Sequence, residues 1–225
     1  MQALPSHIQF NLNDRIYLKN PDSTDLGRKI ISGSIDMIDD IGFENFTFKK
    51  LAIQIQSTEA SIYRYFENKH RLLLYLIAWY WNWIEFRLSY LNANIDDPNE
   101  QLRRAIQLLT QESEEDHNFQ YVNEVKLHRI VISESSKTYL TKEVDQENKE
   151  GVFKSYKQLV QNITEIIKEI NPDFSYPHML VSTVIEGAHH QRFFAQHLPK
   201  LTDQVRGEDS ISTFYQDLVF KALKK

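Results

Sequence analysis

The sequence predicts an all-α protein in two parts. An N-terminal three-helix helix-turn-helix DNA-binding domain precedes a C-terminal helical bundle. Three observations predict it. Apolar residues recur at the helical period of about 3.6 almost throughout. Glycine and proline number only six each among 225 residues, and strand patterns are scarce. From Thr47 to Lys69, TFKKLAIQIQSTEASIYRYFENK, two short helical patterns are separated by a few residues. That spacing lays one helix in the DNA major groove.

In chain order, residues 1–22 hold Pro5, Pro21 and several Asn without a helical pattern and read as a flexible arm. Residues 23–68 form the expected DNA-binding domain. Its first helix starts after the capping cluster Asp22-Ser23-Thr24, buries Ile31, Ile35 and Ile38, and ends near Gly42. Thr47 N-caps a second helix with Leu51, Ala52 and Ile55 facing inward. The third, recognition helix is expected over 58–65, with Ile62 inward and Phe66 packed just beyond. Residues 69–225 form the C-terminal helical bundle. Asn68 caps its first helix, which runs to about Asn92 and is apolar on both sides, so it must be buried on both. Helices follow over 99–114, 119–133, 151–170, 176–197 and 208–224, with a polar stretch at 134–150.

Composition bounds the function. Hydrophobic residues make up 41% and charged residues 25%, ordinary for a soluble globular chain. Cysteine is absent, which excludes disulfides and thiolate metal sites and suits a reducing cytoplasm. The start, MQALPSHIQFNLND, lacks the basic and apolar regions of a signal peptide. The apolar run from Leu72 to Ile84 is shorter than the roughly 20 residues that span a bilayer. A net charge of −5 argues at first against nucleic acid. The first 90 residues, however, carry ten basic and ten acidic side chains, so the excess acid lies beyond them. Between 47 and 71, Lys49, Lys50, Arg64, Lys69 and Arg71 face only Glu59 and Glu67, the local excess of positive charge that phosphate contact requires.

The outward face of the recognition helix would present Thr58, Glu59, Ser61, Tyr63, Arg64 and Tyr65. Arg64 could read guanine, and Thr58 or Ser61 could reach a base edge or a phosphate. Glu59 would repel phosphate, so it either accepts from cytosine or faces solvent. Helix N-termini at Thr47 and at Asn68-Lys69 offer free N–H groups to phosphates.

Over residues 26–77 the chain resembles the DNA-binding domain of TetR-family transcriptional regulators. The residues that carry the resemblance are Gly42, Phe43, Phe46 and Thr47, then Leu51-Ala52, then Ile62, Tyr63, Phe66 and Lys69, followed by Leu72 and Leu73. The resemblance implies phosphate contacts from Thr47, Tyr63 and Lys69, and groove-facing positions at Thr58, Glu59, Ser61 and Arg64. Lys49 joins these as a DNA-binding residue. It also implies a dimeric, ligand-responsive repressor of a near-palindromic operator, with double-stranded DNA and a small-molecule effector as partners, no cofactor, no membrane and no catalytic activity. One departure stands out. The family has Gly, then Val and Ser, at the turn, where this chain has Gln56, Ser57 and Thr58. A left-handed Gln56 would cost about 1–2 kcal/mol.

The same resemblance implies that the last two helices pair with those of a second copy. Val181, Val184, Ile185, Ala188, Ile211, Phe214 and Leu218 are the expected interface, and Gly187-Ala188 would permit close approach of a helix. Alternatively, these stripes cover the monomer core. Tyr80, Trp83, Arg87, Tyr121, Glu124 and His128 are the candidate wall of an effector pocket. Glu124 and His128, spaced i,i+4, could instead be a structural polar pair. Two rival classes remain. One is a helical protein-interaction module that has lost DNA binding. The other is a di-iron carboxylate enzyme using Glu114-x-x-His117 and Glu186-x-x-His189, with Glu85 and Glu124 completing the site. Against the enzyme, the first motif lies in a polar break, and there is neither a Gly-rich phosphate loop nor a nucleophile elbow.

Overall fold

The computed structural model describes residues 10–113 and 121–224. Among these, eleven α-helices and no strand occur. The chain divides into two compact units, Met1–Tyr80 with Ser113–Lys154, and Trp81–Glu112 with Ser155–Lys225. Helix α4, Lys69–Asn92, begins in the first and ends in the second.

Residues 10–22 do not form a flexible arm; residues 1–9 lie outside the described residues. Two 3-10 turns, Asp14–Ile16 and Pro21–Ser23, lead into α1. Ile16 is fully buried and Leu12 nearly so, because their apolar surface has helices to pack on. Thr24 then caps α1, Asp25–Asn45, by accepting from the Gly27 N–H at 3.0 Å. Ile30, Ile31, Ile35 and Ile38 form its buried stripe. Gly42, at φ +75°, turns the chain near its end. Thr47 caps α2, Phe48–Gln54, through the Lys50 N–H. Thr58 caps α3, Glu59–Tyr63, which is shorter than the expected 58–65.

Asn68 caps α4 by accepting from the Arg71 N–H at 2.9 Å. Ten consecutive residues, Leu72 to Trp81, are buried, as its two-sided apolar pattern requires. The same unit holds α6, Glu124–Glu134, α7, Ser136–Tyr139, and α8, Val144–Lys149. Asn123 caps α6, so that helix starts later than the expected Phe119. The stretch expected to be merely polar, 134–150, contains α7 and α8. Helix α6 lies against α1. Lys126 pairs with Asp36, and Arg129 holds Asp39 through two bonds of 2.6 and 2.7 Å.

The second unit contains α5, Pro98–Thr110, α9, Lys154–Ile170, α10, Pro177–His197, and α11, Ser210–Leu223. Asp97 caps α5, whose first residue is Pro98. Helices α5, α10 and α11 pack together. Thr110 donates to Ser212 at 3.0 Å, and the Arg192 guanidinium bridges the Thr110 carbonyl and Asp209. A Cβ at Gly187 would lie 2.2 Å from the Tyr215 hydroxyl, so glycine is what lets α11 approach α10 here.

Candidate nucleic-acid interface

The helix-turn-helix is built from α2, the turn at 55–58, and α3. Gln56 adopts φ +54°, so the turn keeps a left-handed residue without a glycine. Ser57 N–H donates to Ala52 at 2.8 Å and Gln56 N–H to Ile53 at 3.3 Å. These are the two bonds of a Schellman closure, which satisfies carbonyls at the end of α2. Gly33 gives the turn its seat on α1, because a Cβ there would lie 2.6 Å from Ile55 Cγ2.

Helix α3 is anchored by Ile62, which is fully buried. Thr58, Glu59, Ala60 and Arg64 are exposed and Ser61 is half-buried. Tyr63 is 47% exposed, and its ring stands edge-on to Phe48 with centroids 5.0 Å apart. That contact orients the phenol while the residue stays exposed. Thr58 serves two tasks. Its Oγ1 caps α3 at the Ser61 N–H and lies 2.8 Å from the Ser61 hydroxyl. Lys49 is exposed on α2, and Thr47 spends its hydroxyl on the Lys50 N–H.

Two residues expected to touch DNA are engaged within the chain. Tyr65 is only 3% exposed and turns inward, with its hydroxyl 2.7 Å from Thr24 Oγ1. It follows α3 rather than extending it, so it cannot share the outward face. Lys69 is half-buried, and its Nζ donates to the carbonyls of Phe43, Glu44 and Phe46 at 3.0, 3.1 and 3.3 Å. It closes the end of α1 and lies over the Phe43 ring at 4.7 Å. Its charge fixes the corner that leads into Thr47.

Sequence reasoning missed Ile53, which is 73% exposed on α2. Placing Leu51, Ala52 and Ile55 inward already turned it outward. It also missed Glu134 of α6, which accepts from the Phe43 N–H at 3.3 Å and pairs with Lys137. Lys137 also reaches Glu44 at 2.8 Å. No periodicity announces contacts about 91 residues apart in sequence.

The candidate effector residues fall in both units. In the first, Tyr80 Oη lies 2.8 Å from His128 Nδ1, and both residues are buried, as is Glu124. Tyr121 donates to Asp22 at 2.9 Å. In the second, the Arg87 guanidinium lies 4.9 Å over the Trp83 ring. The candidate dimer residues divide differently. Val181, Val184, Ile185, Ala188 and Ile211 are interior to the single chain. Gly187 receives Tyr215 of the same chain. Phe214 and Leu218 are left outside, 56% and 38% exposed.

Glu114 and His117 lie outside the described residues. His189 is buried, and burial, with His190 beside it, lowers its pKa to about 4. Glu186 accepts from the Tyr156 hydroxyl. Among the described residues, no group of three or more His, Asp or Glu is placed to hold a metal ion.

Residues 30–76 match the family model of bacterial regulatory proteins, tetR family. The fold is similar to that of the transcriptional regulator FadR from Bacillus subtilis in complex with stearoyl-CoA. That likeness has a TM-score of 0.59 and 19% identity, and covers 86% of this chain and 97% of that one. It is similar to AibR in complex with isovaleryl coenzyme A and operator DNA, with a TM-score of 0.56 and 18% identity over 85% and 97% of the two chains. The superantigen PfiT shares the fold equally well, with a TM-score of 0.59 at 12% identity over 90% and 97%. At these identities the likeness is one of fold. No curated protein matches the sequence.

Proposed function

We propose that this chain, whose residues 30–76 belong to the tetR family of bacterial regulatory proteins, is a ligand-responsive transcriptional repressor that binds a near-palindromic operator as a homodimer. The observation that carries the reading is the helix-turn-helix. Its turn is closed at Gln56, and α3 is held by Ile62 with Thr58, Glu59, Ser61, Tyr63 and Arg64 turned outward.

Arg64 reads a base edge, as a guanidinium forks onto guanine O6 and N7. Tyr63, Lys49 and the N-terminus of α2 at Thr47 hold phosphates. Lys69 acts by fixing the α1 corner. One recognition helix reads too few bases for a unique site, and two half-sites lie about 34 Å apart. The second copy would dock on the outer faces of α10 and α11, where Phe214, Leu218 and Met179 are exposed. An effector shifts the DNA-bound population only through unequal affinity for the two states. Acyl-coenzyme A esters are the first probes, because FadR and AibR of similar fold were solved with stearoyl-CoA and isovaleryl coenzyme A. The reading places the protein in the cytoplasm with its DNA; no helix of the described residues is long and apolar enough to cross a membrane.

Selection of bound fragments from random genomic DNA tests it. A two-fold-symmetric motif should be enriched, and Arg64→Ala should change the motif. If nothing is enriched, the helical interaction module is the better reading.

A further inference from the structure

The segment before α1 lies outside the family-matched residues and is not idle. Phe10 stands edge-on to Trp79 at 5.3 Å, and Asn13 Nδ2 donates to the Glu150 carbonyl at 2.8 Å. Farther along, the segment grips Tyr65, the residue just beyond the recognition helix, at three points. Leu18 N–H donates to the Tyr65 carbonyl at 2.7 Å, Lys19 Nζ lies 5.2 Å over its ring, and Thr24 Oγ1 meets its hydroxyl. Between these ends is Asp22, a carboxylate only 5% exposed. Its Oδ1 accepts from Tyr75 and from Tyr121, each at 2.9 Å. Burial and Asp22 itself raise the pKa of both phenols, so both remain protonated donors. The Arg28 guanidinium holds the Asp22 carbonyl. Gly27 seats the segment on α1, because a Cβ there would lie 2.1 Å from the Pro21 carbonyl oxygen.

We infer that residues 10–24 are a coupling strap that sets the recognition helix by linking Tyr65 to Tyr121 through Asp22 and Thr24. The path is short. Asp22 and Thr24 are two residues apart, and fixing one restricts the other. Thr24 is at once the cap of α1 and the partner of Tyr65. Whatever moves Tyr121, which stands just before α6, therefore reaches α3 through the strap, alongside the route through α4, where Tyr75 shares the Asp22 carboxylate and packs on Phe66. Asp22, Thr24 and Tyr65 are positioning residues in this scheme.

Amide hydrogen exchange on the full chain tests the strap without DNA. Tyr121→Phe keeps the ring and loses one bond to a carboxylate, a type of bond whose loss shifts an equilibrium by about tenfold or more. Exchange over residues 58–66 should speed by about tenfold, while amides of α10 keep their wild-type rates. Tyr65→Phe removes the Thr24 bond at the other end, which carries the link to Asp22, and leaves the Leu18 bond and the α1 cap in place. The double variant should then open 58–66 no further than the larger single effect, because both changes break one link. If Tyr121→Phe fails to fold, Asp22→Asn is read in the same way, with a smaller effect in the same direction. Unchanged exchange at 58–66, a uniform rise over the whole chain, or strictly additive variants would overturn the strap. Its consequence for operator affinity rests on the proposed function. Wild-type DNA binding is therefore measured in the same series, so that absent binding is told apart from an absent strap.

Discussion

Replacing Gln56 with glycine should stabilise the helix-turn-helix. Gln56 is held at φ +54°, a conformation that costs a residue bearing a Cβ about 1–2 kcal/mol. Glycine removes that cost but frees the unfolded chain, which gives back about 0.5–1 kcal/mol. The Gln56 side chain is exposed, so little packing is lost. Both closing bonds run from backbone N–H groups and survive the change. The net gain is about 0.5–1 kcal/mol, which slows local opening of α2 and α3 about two- to fivefold. Hydrogen exchange over residues 48–63 reads this directly. Gln56→Ala is the control, since alanine keeps the Cβ and should gain nothing. An equal gain in Gln56→Ala, or faster exchange in Gln56→Gly, would refute the strain argument.

Three further outcomes are expected. Lys69→Ala removes a donor to three carbonyls at the end of α1, so the urea midpoint should fall by the equivalent of about 1–2 kcal/mol. DNA affinity should fall with it while the salt slope stays the same; a slope smaller by about 1 would make Lys69 a phosphate contact instead. The double change Phe214→Asp and Leu218→Asp alters residues exposed in the single chain and should give a folded monomer by sedimentation equilibrium. A dimer that persists would move the interface elsewhere. For His189, burial lowers the folded pKa to about 4, below the unfolded value of 6.5. The unfolded state therefore takes up the proton first as pH falls. Stability from the neutral imidazole is intact above about pH 6.5 and declines toward pH 4, by about 2 kcal/mol between pH 6.5 and 5. His189→Gln should flatten the urea midpoint over that range, and a slope equal to wild type would contradict the burial effect.

The fold was legible because helical periodicity and caps are local. Thr24, Thr47 and Asn68 cap the helices that their sequence positions announced. The left-handed turn at Gln56 was foreseen as a strain, and the structure accepts it. What was not legible depends on contacts distant in sequence. Composition made residues 1–22 look like an arm, yet Ile16 is buried and Tyr65 is gripped by Leu18, Lys19 and Thr24. Tyr65 was assigned to DNA by its position on the recognition helix and Lys69 by family resemblance and its place at a helix start, whereas hydrogen-bond partners decide where each points. The stripes of α10 and α11 show which residues are apolar. They do not say whether the same chain or another copy covers them, and Val181 and Ile211 turned out to be interior while Phe214 did not.

DNA binding by the helix-turn-helix is tested most directly by a salt titration of the full chain on the fragments it selects. Affinity should be measurable at about 50 mM salt and should fall linearly on a log–log plot, with a slope of about −0.9 per phosphate neutralised by a Lys or Arg. Lys49→Ala should flatten that slope, Tyr63→Phe should weaken binding without changing it, and Arg64→Ala should alter sequence preference. No detectable binding to any double-stranded fragment at that salt would contradict DNA recognition by α3.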